Sequence, residues 1–315
     1  MNGTRAIVPV LQIVLVVVGG PLIVGVVRKV RARLEGRVGA PVHQPLRDLR
    51  KLFAKERIAP EHTSWVFAVA PAVLVASAAV TAVLVPMVST VSPFAQVSDL
   101  VTITALLLLG TVAIALGALD PGTAFGGMGA SREMTISALT EPTLLLSVAT
   151  ISILTGTTNL PSAISTTLDH PQAVMSIGYV LALVALAIAT LAESSRLPVD
   201  NPNTHLELTM VHEAMVLEYA GPDLALVETG SSMRLAIFLG LLANLAVPWG
   251  IATGSSIAGL AVGTLSFVLK VTVLAVILGV FEVFTAKMRL FRVPELLALS
   301  LVLSFLGVIT SVVHP

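Results

Sequence analysis

The sequence has no cysteine, so it forms no disulfide and supplies no thiolate ligand to an Fe–S cluster or a zinc ion. Charge is also scarce, because charged residues make up 11% of the 315 residues, whereas soluble domains carry about 25%. This shortage of charge excludes an ordinary soluble enzyme, a disordered chain and a nucleic-acid-binding protein. If electrons move in this system, we expect their redox centres on other chains.

Apolar residues are abundant instead, at 56% of the chain with a mean hydropathy of +0.96. A bilayer core requires about 20 mostly apolar residues per helix. Runs of this length predict an all-α polytopic membrane protein with eight transmembrane helices, built as a single membrane domain over residues 1–315. The predicted spans are 6–28, 65–88, 99–119, 133–156, 173–193, 233–251, 259–284 and 294–313.

The distribution of charge predicts the orientation of these spans. The 18 Lys and Arg residues balance the 18 Asp and Glu residues, yet 16 of those 18 basic residues lie in or beside the first, third, fifth and seventh loops. By the positive-inside rule these loops are cytoplasmic and both termini lie outside. We therefore expect a multi-pass protein of the inner (plasma) membrane with large cytoplasmic loops at about 29–64 and 194–232.

The first cytoplasmic loop combines a basic segment with a short amphipathic helix. Leu46, Leu49 and Phe53 share one face of that helix, and basic residues occupy the other side. Two compatible interpretations follow: the helix contacts anionic lipid headgroups, or it forms a docking platform for a peripheral subunit. The candidate docking residues are Arg37, Gln44, Arg47, Arg50 and Lys51.

The fifth loop concentrates acidic residues, because seven of the 18 acids lie within the 36 residues from Glu193 to Glu228. Crowded carboxylates have coupled pKa values, and histidine titrates near neutral pH. We interpret this loop as a chain of proton-exchanging groups, and the alternative is a set of acids that pair with Arg196, Arg234 and the basic loop. The candidate proton-path residues here are Glu193, Asp200, His205, Glu207, His212, Glu213 and Glu218.

Nothing in residues 203–219 interrupts a helix, on which His205, Thr209 and His212 share one face. The pattern predicts an interfacial or re-entrant helix that lines a hydrated cavity. A zinc site is disfavoured because the His-Glu pair at 212–213 lacks the second histidine of the zinc-protease motif. A serine hydrolase is disfavoured because the serines at 194–195 have no nucleophile-elbow context.

Few ionisable residues lie inside the predicted spans. Lys270 lies in the middle of the seventh span, and Glu282 follows twelve residues later, about 18 Å along a helix axis, so the two cannot pair within the helix. Glu133 and Glu141 belong to the start of the fourth span. Intramembrane charges mark functional sites or paired groups, so these four residues join the candidate proton path, with a neutral or acid-paired amine as the alternative for Lys270.

Two segments resemble the complex I subunit 1 (NuoH-type) family. LAESSRLPVDNPNTHLEL, followed by LEYAGPDLALVE, resembles that family's signature, in which E-x-x-R-x-P-x-D precedes a Pro-rich acidic stretch and E-Y. GRVGAPVHQPLRDLRKLFAKE resembles the first inner loop of the same family. Eight spans, an external N-terminus and two long inner loops match the family as well, so the resemblance covers most of the chain.

The second motif region indicates a branch of this family. Asn203 and His205 occupy positions where acids are usual in the respiratory members, and the segment THLELTMVHEAM makes the loop longer. These features resemble the branch of hydrogenase-4 component C and the formate hydrogenlyase membrane subunit, which belong to group 4 NiFe hydrogenases. On the family motif, Arg196 is a charge-pairing residue.

The resemblance implies a membrane-anchor and ion-coupling subunit of a multisubunit oxidoreductase, which links a peripheral redox arm to proton or sodium translocation. Its implied partners are a hydrogenase-like large subunit, a small Fe–S subunit and antiporter-like membrane subunits, in addition to the lipid bilayer. Fe–S clusters and a NiFe centre are expected on those partners, and no cofactor is expected in this chain. Two alternatives remain: a quinone-binding subunit 1 of a complex I NADH dehydrogenase, and a stand-alone secondary transporter.

Overall fold

The computed structural model describes residues 3–200, 210–254 and 256–313. In these residues the chain forms eleven α-helices and no strand, apart from isolated bridges between Ser89 and Ala252 and between Asp99 and Asn159. The helices are α1 (Gly3–Leu34), α2 (Gln44–Phe53), α3 (Trp65–Leu84), α4 (Leu100–Leu119), α5 (Ala124–Thr155), α6 (Leu160–Asp169), α7 (Ile177–Glu193), α8 (His212–Val216), α9 (Gly221–Ala246), α10 (Ile257–Phe284) and α11 (Val293–Val313).

The apolar runs and their flanking polar residues explain these helices. Six of them follow a Ser, Thr, Asp or Asn whose side chain accepts a hydrogen bond from the first turn, which satisfies a backbone N–H that has no partner within the helix. Within the described ranges, seven helices are long and apolar enough to cross a membrane, and α7 is shorter, at 17 residues. The all-helical membrane fold predicted from hydropathy is therefore confirmed.

Helix α9 lies at the centre of the bundle. In its most apolar 18-residue window 78% of the residues are buried, against 28% to 50% in the other candidate spans. It contacts α1, α3, α7 and α10, while α3 packs on α4 and α5 packs on α7 and α11. Polar side chains carried by α9 are therefore held inside the protein, where they meet residues from several other helices.

Two amide side chains hold the carboxyl end of α3. Gln12 Nε2 donates to the carbonyls of Ala82 at 2.8 Å and Val85 at 2.9 Å. Asn244 Nδ2 donates to the carbonyls of residues 86–87, both at 2.9 Å. Carbonyls at a helix end have no partner within the helix, so these bonds satisfy them and fix α1 and α9 against α3.

Two predicted spans begin too late in the sequence. Helix α5 starts at Ala124 instead of 133, and α9 starts at Gly221 instead of 233, so the second large loop ends at 220 instead of 232. The first large loop begins after Leu34 instead of at 29. The amino-terminal turns of α5 and α9 contain Gly, Ser and acidic residues, which lower the local hydropathy although the helix continues.

The short helix predicted in the first loop is present as α2. Helix α2 packs against α1 and α9, and Pro45, Leu49 and Leu52 line the groove between them. Phe53, which belongs to the predicted apolar face, is 49% exposed. Pro45, in the first turn of α2, is buried.

The long helix predicted over 203–219 is wrong in its described part. Residues 210–211 and 217–219 are not helical, and α8 covers only His212–Val216. The Asp200 carboxylate accepts hydrogen bonds from the backbone N–H groups of Val211 at 3.3 Å and His212 at 3.1 Å. This contact starts α8 at residue 212, so a tertiary interaction overrides the local helical preference.

Candidate functional site

A charged cavity of about 110 Å³ lies among α1, α5, α9, α10 and the loop after α7. It is located where α1, α7 and α10 end, beside the first half of α9, and α4, α5, α8 and the loop after α7 also contribute polar side chains to its lining. Its ionisable lining residues are Arg28, Arg31, Glu133, Glu193, Arg196, His212, Glu213, Glu228, Arg234 and Glu282. Four arginines, five glutamates and one histidine thus line one space.

The first ion pair of the cavity joins α7 to α9. Arg234 Nη2 donates to Glu193 Oε2 at 2.7 Å, and both side chains are buried. The other oxygen of Glu193 accepts a hydrogen bond from the Thr140 hydroxyl on α5. One carboxylate thus links three helices, and protonating it would remove its attraction to Arg234.

The second cluster joins α1, α10 and the loop after α7. Glu282, in the last turn of α10, accepts from Arg31 Nη1 at 3.0 Å and from Arg196 Nη1 at 3.4 Å. Its carboxylate is fully buried, and Arg196 is 8% exposed. Burial lowers the pKa of Arg196, and the Glu282 carboxylate opposes that shift. The predicted pairing role of Arg196 thus has a defined acid partner in the structure.

Asp200 organises the segment beside the cavity. Its carboxylate accepts from the backbone N–H groups of Val211 and His212, and Lys287 Nζ lies 3.2 Å from Asp200 Oδ1. His212, which follows this anchor, lines the cavity with its Nε2 atom 3.3 Å from the Ser231 hydroxyl on α9. Asp200 is therefore placed to orient the histidine from outside the cavity.

The other predicted acids divide into two groups. Glu133, which is 5% exposed, and Glu213 line the cavity. Glu141, two turns further along α5, and Glu218 are half-buried and lie outside the cavity lining. His205 and Glu207 lie outside the described residues, so their positions stay predictions.

Lys270 lies apart from the cavity. Its Nζ donates to Asn244 Oδ1 at 3.2 Å, near the end of α9 opposite to the cavity. The bond joins Lys270 to the amide that holds the carboxyl end of α3. Lys270 and Glu282 therefore belong to two separate polar regions of the bundle.

The candidate docking residues lie mainly on the surface. Arg37 is exposed and pairs with Glu35, whereas Gln44 donates to Asp48 at 2.8 Å within α2. Arg47, Arg50 and Lys51 are exposed on the outer side of α2. These basic groups are accessible for contact with another molecule.

Several residues that line the cavity or bond to its acids were absent from the candidate site residues, among them Arg28, Arg31, Thr140, Glu228 and Arg234. Arg31 is one of many basic residues around the first loop, Glu228 is one of the seven acids of the fifth loop, and Thr140 lies in an apolar span, so no strong local pattern distinguished them. The spacing of Arg28 and Arg31 at the end of an apolar helix could have indicated two guanidiniums that face back into the bundle. Among the described residues no group of three or more His, Cys, Asp or Glu side chains could hold a metal ion.

Comparison with known proteins gives the relationships of this chain. The family model described as NADH dehydrogenase matches residues 6–312. Formate hydrogenlyase subunit 4 of Escherichia coli (strain K12) is 33% identical over 288 residues, covering 91% of this chain and 92% of that protein. Hydrogenase-4 component C of the same organism is 35% identical over 292 residues, covering 91% and 90%.

More distant matches agree with this assignment. An NADH-quinone oxidoreductase subunit of Thermomicrobium roseum is 31% identical over 221 residues, covering 62% of this chain and 63% of that protein. A chain of the membrane-bound sulfane sulfur reductase, an archaeal respiratory membrane complex, has the same fold, with a TM-score of 0.83, 19% identity and coverage of 98% and 99%. The resemblance predicted from the loop motifs is confirmed: the chain belongs to the NADH dehydrogenase family of complex I subunit 1 type, and within it is more similar to the two Escherichia coli hydrogen-metabolism proteins than to the Thermomicrobium roseum protein.

Proposed function

We propose that this chain is the membrane-anchor and ion-coupling subunit of a multisubunit respiratory oxidoreductase of the group 4 NiFe hydrogenase or formate hydrogenlyase type. The observation that carries the proposal is similarity over about nine tenths of the chain to two proteins named as parts of such systems. Those names describe a subunit and a component, which disfavours a stand-alone transporter. The charged cavity of this chain contains carboxylates that can exchange protons and arginines that respond to their charge, as ion coupling requires.

The proposed topology has eight membrane crossings, with α7 as the shortest. A helix of 17 residues extends about 25 Å, at the lower limit for a bilayer core. With both termini outside, the cavity and α2 lie on the cytoplasmic side of the inner (plasma) membrane. We take the whole chain, residues 1–315, as one membrane domain.

The proposed mechanism begins with a change of charge near the cavity. A hydrogenase-like large subunit and a small Fe–S subunit would dock on the exposed basic side of α2 and on the loop after α7, and would carry the Fe–S clusters and the NiFe centre. Electron arrival near the cavity would favour proton uptake by carboxylates such as Glu193 and Glu282. Loss of a negative charge weakens the pairs with Arg234, Arg31 and Arg196. This change in charge would be coupled to the movement of protons or sodium through antiporter-like subunits.

A second candidate function is a quinone-binding subunit of a complex I NADH dehydrogenase. The favouring observation is a groove between α1, α2 and α9, lined by Pro21, Leu49, Leu52 and Leu224. This groove shares Arg28 and other residues with the charged cavity. An apolar tail in the groove and a polar head group in the cavity would fit this arrangement.

Purification of the complex distinguishes these candidates. A tagged form of the chain should co-purify with a soluble large subunit that has two Cys-x-x-Cys pairs, a small Fe–S subunit and further membrane subunits. Partners that include NADH-oxidising subunits and a large subunit without those cysteines would support the quinone-binding candidate instead. Recovery of the chain alone would contradict both complexes.

A further inference from the structure

A half-buried lysine in the middle of α10 has a neutral amide as its partner. Lys270 Nζ has a hydrogen bond to Asn244 Oδ1 at 3.2 Å, and it has no ion pair among the residues described on either side of the gaps at 201–209 and 255. An ammonium group has three N–H donors. A charged lysine in the apolar part of a membrane is costly unless a carboxylate or water satisfies it.

The helices that pack against α10 offer no acid at this level. Helix α10 contacts α1 and α9, and α1 has no ionisable residue from Ala6 to Val27. The nearest charged residue on α9 is Arg234, ten residues before Asn244, which is about 15 Å along the helix. On α10 itself, Glu282 is twelve residues from Lys270, about 18 Å. A counter-ion must therefore come from outside these elements.

The surface beside Lys270 is open. Leu269, Val273 and Ile277 form a ridge at intervals of four residues on α10 and are 63%, 49% and 56% exposed. Ridges of this spacing are the surfaces with which helices pack into the grooves of neighbouring helices. Only 33% of the most apolar window of α10 is buried within this chain. A transmembrane helix placed on this ridge would lie next to Lys270.

We infer that this ridge of α10 is the contact surface for a transmembrane helix of a neighbouring subunit, and that this helix carries an Asp or Glu whose carboxylate pairs with Lys270. The inference rests on the proposed function, because it requires other membrane subunits in the complex. The charge of Lys270 indicates what covers the ridge. Lipid tails or a purely apolar helix would leave the ammonium group with one neutral partner, whereas a helix with an acidic residue would neutralise it. A carboxylate would complete a series of polar contacts that runs from the neighbouring subunit through Lys270 and Asn244 to the carboxyl end of α3.

A carbodiimide experiment tests the pair directly in membranes that contain the whole complex. Dicyclohexylcarbodiimide partitions into the bilayer and adds to a buried carboxylate, which takes up the proton of the paired ammonium group and becomes an O-acylurea; the freed amine then attacks the acyl carbon, forms an amide bond and displaces dicyclohexylurea. We expect mass spectrometry to find Lys270 joined to an Asp or Glu in a membrane peptide of another subunit. Lys270→Arg keeps the positive charge and cannot give this product, so it is the matched control.

A detergent-extraction assay gives a second readout. Lys270→Met should reduce the co-purifying membrane subunits at least about threefold, the size expected from loss of one polar contact between membrane helices, whereas Lys270→Arg should retain them. The inference is overturned if Lys270→Met retains the native amount, or if the amide product is missing or lies within this chain. Absence of any membrane partner of the native chain would instead overturn the proposed function.

Discussion

Arg234, in the middle of α9, is joined to Glu193, the last residue of α7, by an ion pair of 2.7 Å in the wall of the cavity. Thr140 on α5 completes the arrangement by donating to the same carboxylate. The pair therefore connects the central helix with the group formed by α5 and α7. A change in its charge alters the contact between two parts of the bundle.

The first prediction concerns the cavity acids. Glu193→Gln and Glu213→Gln should each weaken ion-coupled activity in complexes that still assemble, because the amide keeps the shape of the side chain but cannot exchange a proton. Glu193→Gln also breaks the buried pair with Arg234, so its unfolding temperature should fall as well. Ion movement driven by turnover in sealed vesicles, compared with turnover itself, measures this effect. Glu295→Gln, at an exposed position in the first turn of α11, is the matched control, and unchanged ion movement in a cavity variant would remove that residue from the path.

Glu282→Gln should lower the stability of the protein by about 3–5 kcal/mol, the usual cost of removing one member of a buried ion pair. Glu282 is 3% exposed and is shared by Arg31 and Arg196, so the variant leaves two guanidiniums without their acid. Thermal unfolding in detergent measures the change. Adding Arg196→Gln should recover part of the loss, and equal unfolding temperatures in the native protein and Glu282→Gln would refute the pair's role.

The close approach of α4 to Tyr219 gives a third prediction. A Cβ at Gly117 would lie 2.2 Å from the Tyr219 hydroxyl oxygen and 2.8 Å from the Ala70 methyl group. Tyr219 is 3% exposed, stacks on Phe67 with ring centroids 4.2 Å apart, and has a pKa raised by burial and by Asp223 and Asp120. Gly117→Ala should therefore destabilise the protein by about 1–3 kcal/mol through overpacking.

A second substitution distinguishes this clash from a general loss of helix packing. Tyr219→Phe removes the hydroxyl group, so Gly117→Ala combined with Tyr219→Phe should be more stable than Gly117→Ala alone. Denaturation in detergent of the native protein, both single variants and the double variant measures this coupling. Strictly additive effects would show that the added methyl group and the hydroxyl group do not meet.

Asp120 should make stability depend on pH in the acid range. Ser64 donates to both Asp120 oxygens at 2.6 Å, from its hydroxyl group and from its backbone N–H, and these bonds lower the pKa of Asp120. Because the folded-state pKa is below the unfolded value, the stabilisation is complete above about pH 4 and is lost as pH falls through the folded value. The difference in unfolding temperature between the native protein and Asp120→Asn should shrink in that range, and a constant difference would contradict this.

The last prediction concerns docking on α2. Replacing Arg47, Arg50 and Lys51 by Glu should release the peripheral subunits at lower salt, because exposed basic groups contribute screened attraction, while the membrane subunits remain together. Sedimentation of membranes at increasing salt, followed by assay of the released subunits, measures this. The control is Arg292→Glu, an exposed basic residue between α10 and α11, and equal release from both variants would exclude α2 as the docking surface.

Hydropathy and charge predicted much of the fold because lipid imposes simple requirements on a sequence. Long apolar runs must form helices, and the structure has a helix at each predicted span. The starts of α5 and α9 were missed because polar residues at the ends of membrane helices are buried by neighbouring helices. A hydropathy window cannot include such neighbours.

The sequence predicted several residues of the candidate site, but it did not predict which residues form ion pairs with them. The sequence indicated Glu193, Glu282 and Arg196, but their partners come from 41 to 251 positions away in the chain. Arg31 and Thr140 gave no strong local signal, because a basic residue after an apolar helix and a threonine inside one are common in membrane proteins. Their contribution depends on which helices pack together, and only the fold supplies that information.

The two ends of the bundle are held by different kinds of bond, and this determines where the protein can respond to a stimulus. At the end of α3, the amides of Gln12 and Asn244 donate to backbone carbonyls. Neither amide titrates, although Asn244 also accepts a hydrogen bond from the Lys270 ammonium group. At the other end, carboxylates and guanidiniums join α1, α7, α9 and α10, and one proton or electron nearby changes the force between them. Protonation of a single carboxylate would therefore weaken contacts at the charged end and leave the two amide contacts at the end of α3 unchanged.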